Sequence, residues 1–220
     1  HRDLHSFPTR RSSDLLRRFG VEHNVLTLVN ARNCRSGASV YRYLKEQGFL
    51  FHQYIPCVEY AADGSPAPWA VDPESWGAFL CDVFDEWASG DVGRVSVRLF
   101  DSILVRLVDG VANVCHMGRD CRQYFLVEHN GDVYPCDFFV EERTRLGNIM
   151  SADWEELAES ARYADFGLRK SRMHAACAAC PYLPLCAGDC LKHRPGALDD
   201  AASLSVLCRA IGRASCRERV

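Results

Sequence analysis

The spacing of apolar positions changes along the chain, and each change marks an element. Residues 24–30 (NVLTLVN) form a short β-branched apolar run closed by asparagines, the texture of a buried strand. Residues 40–47 (VYRYLKEQ) have helical character and stop at Gly48, a natural C-terminal cap. Residues 49–58 (FLFHQYIPCV) read as a second strand. Strand, helix and strand in such a short stretch predict a βαβ unit with parallel strands. Further on, Asp72 and Pro73 supply a cap and an N1 proline. Trp76, Phe79, Leu80, Val83, Phe84 and Trp87 then recur with the helical period as one wide apolar face, which reads as core packing. Residues 95–99 alternate as a short strand, and residues 102–111 read as a helix with Ile103, Leu104, Leu107, Val108 and Val111 on one side.

After Cys115 the texture changes. Residues 124–128 and 133–135 flank His129-Asn130-Gly131-Asp132, and Asn-Gly at the turn predicts a β-hairpin. Ser151 is the expected cap of a helix whose first turn carries Asp153, Glu155 and Glu156, favourable at the positive end of the helix dipole. From Cys177 onward the chain is rich in Cys, Pro and Gly and offers little apolar surface to bury, so it requires a staple.

Composition narrows the classes. Of 220 residues, 48% are hydrophobic and 25% charged, ordinary for a globular protein. No apolar run approaches the roughly 20 residues of a membrane span. The net charge is −3 without a Lys/Arg stripe, so neither a membrane nor a nucleic acid is an expected partner. Residues 1–15 and 211–220 are Arg/Ser-rich, lack an apolar period and resemble translated adapter or vector sequence, so both are set aside as non-native tails. Without them the net charge is −6.

The chain has 12 cysteines, unevenly placed. Cys34, Cys57 and Cys81 are scattered, whereas eight crowd between Cys115 and Cys208. Without a secretory signal, metal-bound thiolates in a reducing cytoplasm are the expected reading rather than a disulfide scaffold. The groups are Cys115-x5-Cys121-x14-Cys136 and Cys177-x2-Cys180-x5-Cys186-x3-Cys190-x17-Cys208. Eight thiolates make two four-ligand sites, which suits iron–sulfur clusters or zinc. Zinc sites usually pair two short knuckles; only Cys177/Cys180 is one here, which leaves zinc as the alternative.

The pattern C-x9-G-x4-C, then C-x2-C-x5-C-x3-C-x17-C, resembles the seven-cysteine signature of the SPASM domain, the C-terminal extension of certain radical S-adenosylmethionine enzymes. Cys121, Cys136, Cys177, Cys180, Cys186, Cys190 and Cys208 all match it, with Gly131 in register. Cys115, the Tyr134-Pro135-Cys136-Asp137-Phe138-Phe139 run, Leu146-Gly147-Asn148-Ile149 and Cys186-Ala187-Gly188-Asp189-Cys190 resemble more narrowly the anaerobic sulfatase-maturating enzymes, over residues 21–209.

The resemblance implies an α/β fold: the C-terminal part of a partial (β/α)6 radical SAM barrel and linking helices over 16–112, then a small α+β SPASM domain over 113–210. It implies that Cys115, Cys121, Cys136 and Cys190 hold one auxiliary 4Fe–4S cluster. Cys177, Cys180, Cys186 and Cys208 would hold another. Full cysteine ligation leaves no open iron, which points to electron transfer. Asp137 would be the general base that deprotonates a Cys or Ser of a sulfatase as it becomes Cα-formylglycine, a role that partial burial favours by raising the carboxyl pKa. Read alone, the same aspartate caps the end of the hairpin. The backbone near Ile55 would pack the adenine of S-adenosylmethionine. The implied partners are an unfolded sulfatase or peptide and a flavodoxin or ferredoxin as electron donor.

One departure stands out. The C-x3-C-x2-C motif that holds a third 4Fe–4S cluster and S-adenosylmethionine in this family is absent, since Cys34, Cys57 and Cys81 lie 23 and 24 residues apart. Those three are expected to be buried apolar fillers. The βαβ unit then corresponds to the last two barrel strands with four missing, and the chain alone is expected to be inactive. A sister SPASM enzyme acting on a ribosomal peptide is the competing enzyme reading. His116, His129, His174 and His193 sit near cysteines, and most of them are expected to be solvated loop residues.

Overall fold

A computed structural model of the chain describes residues 8–210. Residues 1–7 and 211–220, parts of the two stretches set aside above, lie outside it. Residues 8–15 belong to the first helix, α1 (Pro8–Arg18). The Arg17 guanidinium of α1 lies 4.5 Å from the centroid of the Phe49 ring and donates to the Gln47 carbonyl.

Strand β1 (Val25–Val29), helix α2 (Gly37–Glu46) and strand β2 (Phe51–Pro56) form the expected βαβ unit, with Val25 opposite His52 and Val29 opposite Pro56 in parallel register. Helix α3 (Pro73–Ala88) makes a second crossover to β3 (Ser96–Val97), which pairs parallel to β2. The order is β1-β2-β3. Asp72 caps α3 as its sequence predicts, accepting from the Ser75 N–H at 2.8 Å. Trp76, Phe79, Leu80, Val83 and Trp87 are all buried, and with Tyr41, Tyr54, Val29 and Val97 they build the core on one face of the sheet. Gly37 is required here: a Cβ would stand 2.6 Å from the Phe79 carbonyl oxygen, so only glycine lets α2 approach α3 this closely. On the opposite face Leu26, Leu28 and Phe51 are exposed.

Helix α4 (Arg98–Asp109) follows β3 directly, starting four residues ahead of the expected 102. It stops at Gly110, whose φ of 71° ends the helix in the left-handed region. Its apolar stripe is only partly used: Phe100 is buried, whereas Leu104, Leu107 and Val108 are exposed.

The second half is built around a small antiparallel sheet of order β4-β5-β6. Strands β4 (Leu126–Val127) and β5 (Asp132–Tyr134) are the expected hairpin, with Gly131 at φ 87° in its turn. Strand β6 (Gly147–Asn148) pairs with β5 and has no periodic signal in the sequence. Asp132 braces it, accepting from Arg145 and from the Asn148 side chain. Helix α5 (Trp154–Glu159) is capped by Asp153, not by Ser151, because the Asp153 carboxylate reaches the Glu156 N–H at 2.8 Å. The chain turns at Ser160, which caps α6 (Ala161–Arg169). Short 3-10 turns and α7 (Leu183–Cys186) complete this half. The C-terminal segment then returns, placing Leu207 and Ala210 in the first core. Among the described residues no helix is long and apolar enough to cross a membrane.

Buried Asp91 ties α2 to the end of α3, accepting from the Tyr41 hydroxyl at 2.8 Å and the Lys45 ammonium at 2.7 Å. The bonds from Lys45 and Tyr41 hold its carboxyl below the usual range. A depressed folded-state pKa adds stability above the unfolded value and loses it as pH falls through the folded one. Asp91→Asn is therefore expected to cost about 1–3 kcal/mol at pH 7 and less below about pH 4. Denaturant titrations of both proteins at pH 7 and pH 3.5 check this; an equal loss at both would show that the charge is not what matters.

Candidate metal centre and adjoining cleft

The eight cysteines fall into two spatial groups. Cys115 opens a 3-10 turn, Cys121 lies in the following loop, Cys136 follows β5 by one residue and Cys190 precedes the turn Leu191–His193. These four line one cavity with Phe139, Phe166 and Lys170. In the second group the Cys208 thiol lies within electrostatic reach of Cys177 and Cys180, and Cys186 within reach of Cys208. Among the described residues no three of His, Cys, Asp or Glu converge closely enough to ligate a single metal ion. Ala187, Gly188 and Asp189 are three successive residues at positive φ (47°, 78° and 64°), and they fold the chain sharply between Cys186 and Cys190. A side chain on Gly188 would run into Arg194.

Buried charge holds this arrangement. The Lys170 side chain is fully buried, and its ammonium donates to the carbonyls of His116 at 2.8 Å and Asp189 at 2.7 Å, each next to a cysteine of the first group. Arg194, 2% exposed, donates to the carbonyls of Gly188, Arg172 and Ala201, each at 2.9 Å. Burial pushes the thiols up: Cys121 to about 12, Cys136 to about 11 and Cys186 to about 12. Such thiols stay protonated and inert until a metal displaces the proton.

A cleft of about 520 Å³ opens at the C-terminal ends of β1 and β2, where parallel sheets commonly bind ligands. Leu28, Ile55, Glu59 and Trp69 line one side, Phe138 and Lys192 the other. Ile55 lines this cleft, and the cysteine-rich half forms part of its wall. Lys192 closes an ion pair across it to Glu59 at 3.0 Å. Asp137, next to Phe138, is exposed; its Oδ1 accepts from the Tyr124 hydroxyl at 2.8 Å and lies 3.4 Å from the Cys136 thiol. Sequence reasoning missed Tyr124, which reads only as the start of a hairpin strand.

The histidines divide. His129 is exposed and the His174 ring caps a turn at Ala176, as loop residues do. His193 is only 8% exposed and bonds Asp189, and His116 is half-buried, its pKa pushed down to about 4 by burial, so the expectation holds for two of the four. Cys34 and Cys57 are buried as expected, but Cys81 only partly.

Comparison with known proteins agrees with this geometry. Residues 115–181 match the family model SPASM, an iron–sulfur cluster-binding domain. Over 213 residues the chain is 35% identical to the serine-type anaerobic sulfatase-maturating enzyme of Bacteroides thetaiotaomicron, covering 89% of this chain and 51% of that protein. Over 203 residues it is 34% identical to the cysteine-type enzyme of Clostridium perfringens, covering 90% of this chain and 55% of that one. The solved structure of native anSMEcpe with bound AdoMet superposes with a TM-score of 0.85 at 32% identity, over 93% of this chain and 57% of that one. The chain is a SPASM-containing relative of the anaerobic sulfatase-maturating enzymes. It spans about half the length of the curated maturases it matches. The same anSMEcpe has been solved with AdoMet and a Cp18Cys peptide. The SPASM match ends before Cys186, Cys190 and Cys208; of these, Cys190 lines the cavity of the first group.

Lys170 donates to the carbonyls beside Cys115 and Cys190, and the second of these also accepts from Arg194, so Lys170→Met is expected to loosen the second half by about 1–3 kcal/mol, the cost of the His116 carbonyl left unpaired. Limited proteolysis should cut first between 113 and 210 while residues 25–109 persist. Uniform cleavage across both halves would count against this division.

Proposed function

We propose that this chain is the C-terminal part of a radical S-adenosylmethionine oxidase that converts a Cys or Ser of a sulfatase to Cα-formylglycine. The observation that carries the reading is the junction at the cleft: Phe138, in the Tyr-Pro-Cys-Asp-Phe-Phe run, and Ile55, from the parallel sheet, face one cavity beside the first cysteine group. Similarity to the maturases over nearly the whole chain supports it. In this reading residues 16–112 belong to a (β/α)6 barrel, whose interior would cover the exposed Leu26 and Leu28, and residues 113–210 to the SPASM domain.

The donor set fits iron–sulfur clusters: eight soft thiols, four of them around one cavity, spread too far for one ion. Cys115, Cys121, Cys136 and Cys190 would hold one 4Fe–4S cluster and Cys177, Cys180, Cys186 and Cys208 a second. When bound, such clusters supply one-electron transfer. The chain's own residues do the rest. Ile55 packs the adenine of S-adenosylmethionine, which together with a third cluster requires a C-x3-C-x2-C motif that these residues lack. Asp137 takes the proton from the substrate thiol or hydroxyl, and Tyr124 aims its carboxylate. Phe138 and Trp69 give apolar walls to an unfolded sulfatase segment or peptide. A flavodoxin or ferredoxin suits the electron donor.

Loaded anaerobically, the chain should hold about eight irons with matching acid-labile sulfide, as two such clusters require. Two zincs and no sulfide would overturn the cluster reading. Cys190→Ala should remove the first cluster and spare the one on the Cys177/Cys180 knuckle.

Joined to a barrel half carrying the C-x3-C-x2-C motif, the protein should convert a sulfatase-derived peptide. Asp137→Asn should then slow the chemical step by about 10²–10⁴-fold, the usual worth of a general base. Cluster content should hold, and peptide binding should change far less than turnover. Parent-rate maturation would make Asp137 a hairpin cap, and modification of some other peptide instead would favour the sister SPASM enzymes.

A further inference from the structure

Asp189 lies between Cys186 of the second group and Cys190 of the first, and its side chain is 7% exposed. Its Oδ2 accepts from the Ser205 hydroxyl at 2.6 Å and from His193 Nδ1–H at 2.9 Å. Both partners belong to cysteine-bearing segments. The Ser205 carbonyl accepts from the Cys208 N–H at 3.1 Å, and the His193 N–H donates to the Cys190 carbonyl at 3.1 Å. The backbone closes the loop, since the Val206 N–H donates to the His193 carbonyl at 2.8 Å. One carboxylate thus joins the stretch that delivers the last ligand of one group to the stretch that delivers the last ligand of the other. The thiols of Cys186, Cys190 and Cys208 all lie within electrostatic reach of this carboxylate.

Sequence gives no hint of this, because Ser205 stands 16 residues from Asp189 in an unremarkable loop. Among the described residues the acid pairs with no Lys or Arg side chain: Lys170 and Arg194, the buried cations nearby, spend their donors on backbone carbonyls, including that of Asp189. A buried carboxylate held by one hydroxyl and one imidazole keeps a strong local field.

We propose that Asp189 is a positioning residue shared by both cysteine groups, fixing the Cys208 segment against the Cys190 segment and setting one buried negative charge within the field of both clusters. This rests on the reading that the eight thiolates hold two iron–sulfur clusters. Ligand-orienting partners of this kind are commonly worth 10–100-fold in metal affinity, and nearby charge sets cluster potential.

The test uses the full 220-residue chain, loaded anaerobically. Iron and sulfide in the parent check the cluster reading first; if the parent holds neither, that reading fails and this inference falls with it. The two reduced-cluster signals in electron paramagnetic resonance are assigned with Cys180→Ala, which removes one of them. Asp189→Asn keeps size and removes the charge, so the midpoint potentials of both signals should rise. Ser205→Ala keeps the charge and removes the tether, so a chelator should strip iron from the Cys208 site about 10–100-fold faster, with both potentials near the parent's. Should Asp189→Asn fail to load, Asp189→Glu replaces it: parent-like potentials with faster iron release are expected. A shift in one signal or neither with Asp189→Asn, or parent-rate iron release from Ser205→Ala or Asp189→Glu, would overturn the proposal.

Discussion

The Lys170 ammonium is the contact on which the cysteine-rich half depends. It arrives from the end of α6 with no exposure to water and grips the carbonyls of His116 and Asp189. Those residues adjoin Cys115 and Cys190, which are 75 positions apart in the chain. Taking an ammonium out of water is expensive unless its donors are satisfied, and here backbone oxygens satisfy it without a countercharge. Arg194 does the same for the loop that follows. This half has only a small apolar cluster of Phe139, Phe166, Leu191 and Ala197, so polar pins take much of the place that a hydrophobic core holds elsewhere.

Legibility in the sequence follows this division of forces. The α3 helix, its Asp72 cap and the two parallel strands were readable because burial against a sheet imposes a period and caps have fixed chemistry. The Asn-Gly hairpin was readable because few residues tolerate its turn. Strand β6 was not, since two residues carry no period and Gly147-Asn148 has no strand preference. Two acceptable caps, Ser151 and Asp153, compete two residues apart, and only packing decides between them. The cysteine spacing located the candidate site and the motif around Cys190 included Asp189, but its partners, and the burial or partners of Lys170, Arg194 and Tyr124, arise only from long-range folding.

The halves are joined by more than the chain. Lys192 reaches Glu59, Tyr60 donates to the His193 carbonyl at 3.5 Å, and Arg106 donates to the Pro184 carbonyl at 3.1 Å. The first two contacts sit at or beside the cleft, so the wall that Phe138 and Lys192 present is held in register with the strand ends opposite. A ligand in this cleft would touch both halves at once, and its binding would be sensitive to how firmly the cysteine-rich half is assembled.

Leu207 and Ala210 belong to the first core, and Cys208 stands between them. The last cysteine of the second group is therefore carried by a segment whose anchorage lies in the other half of the molecule. On the ribosome, Cys208 emerges after the other seven cysteines, and it docks only once α3 and the parallel sheet have formed the surface that receives Leu207. In the proposed assignment the second group would thus be completed last in the order of assembly, only after the first core has formed.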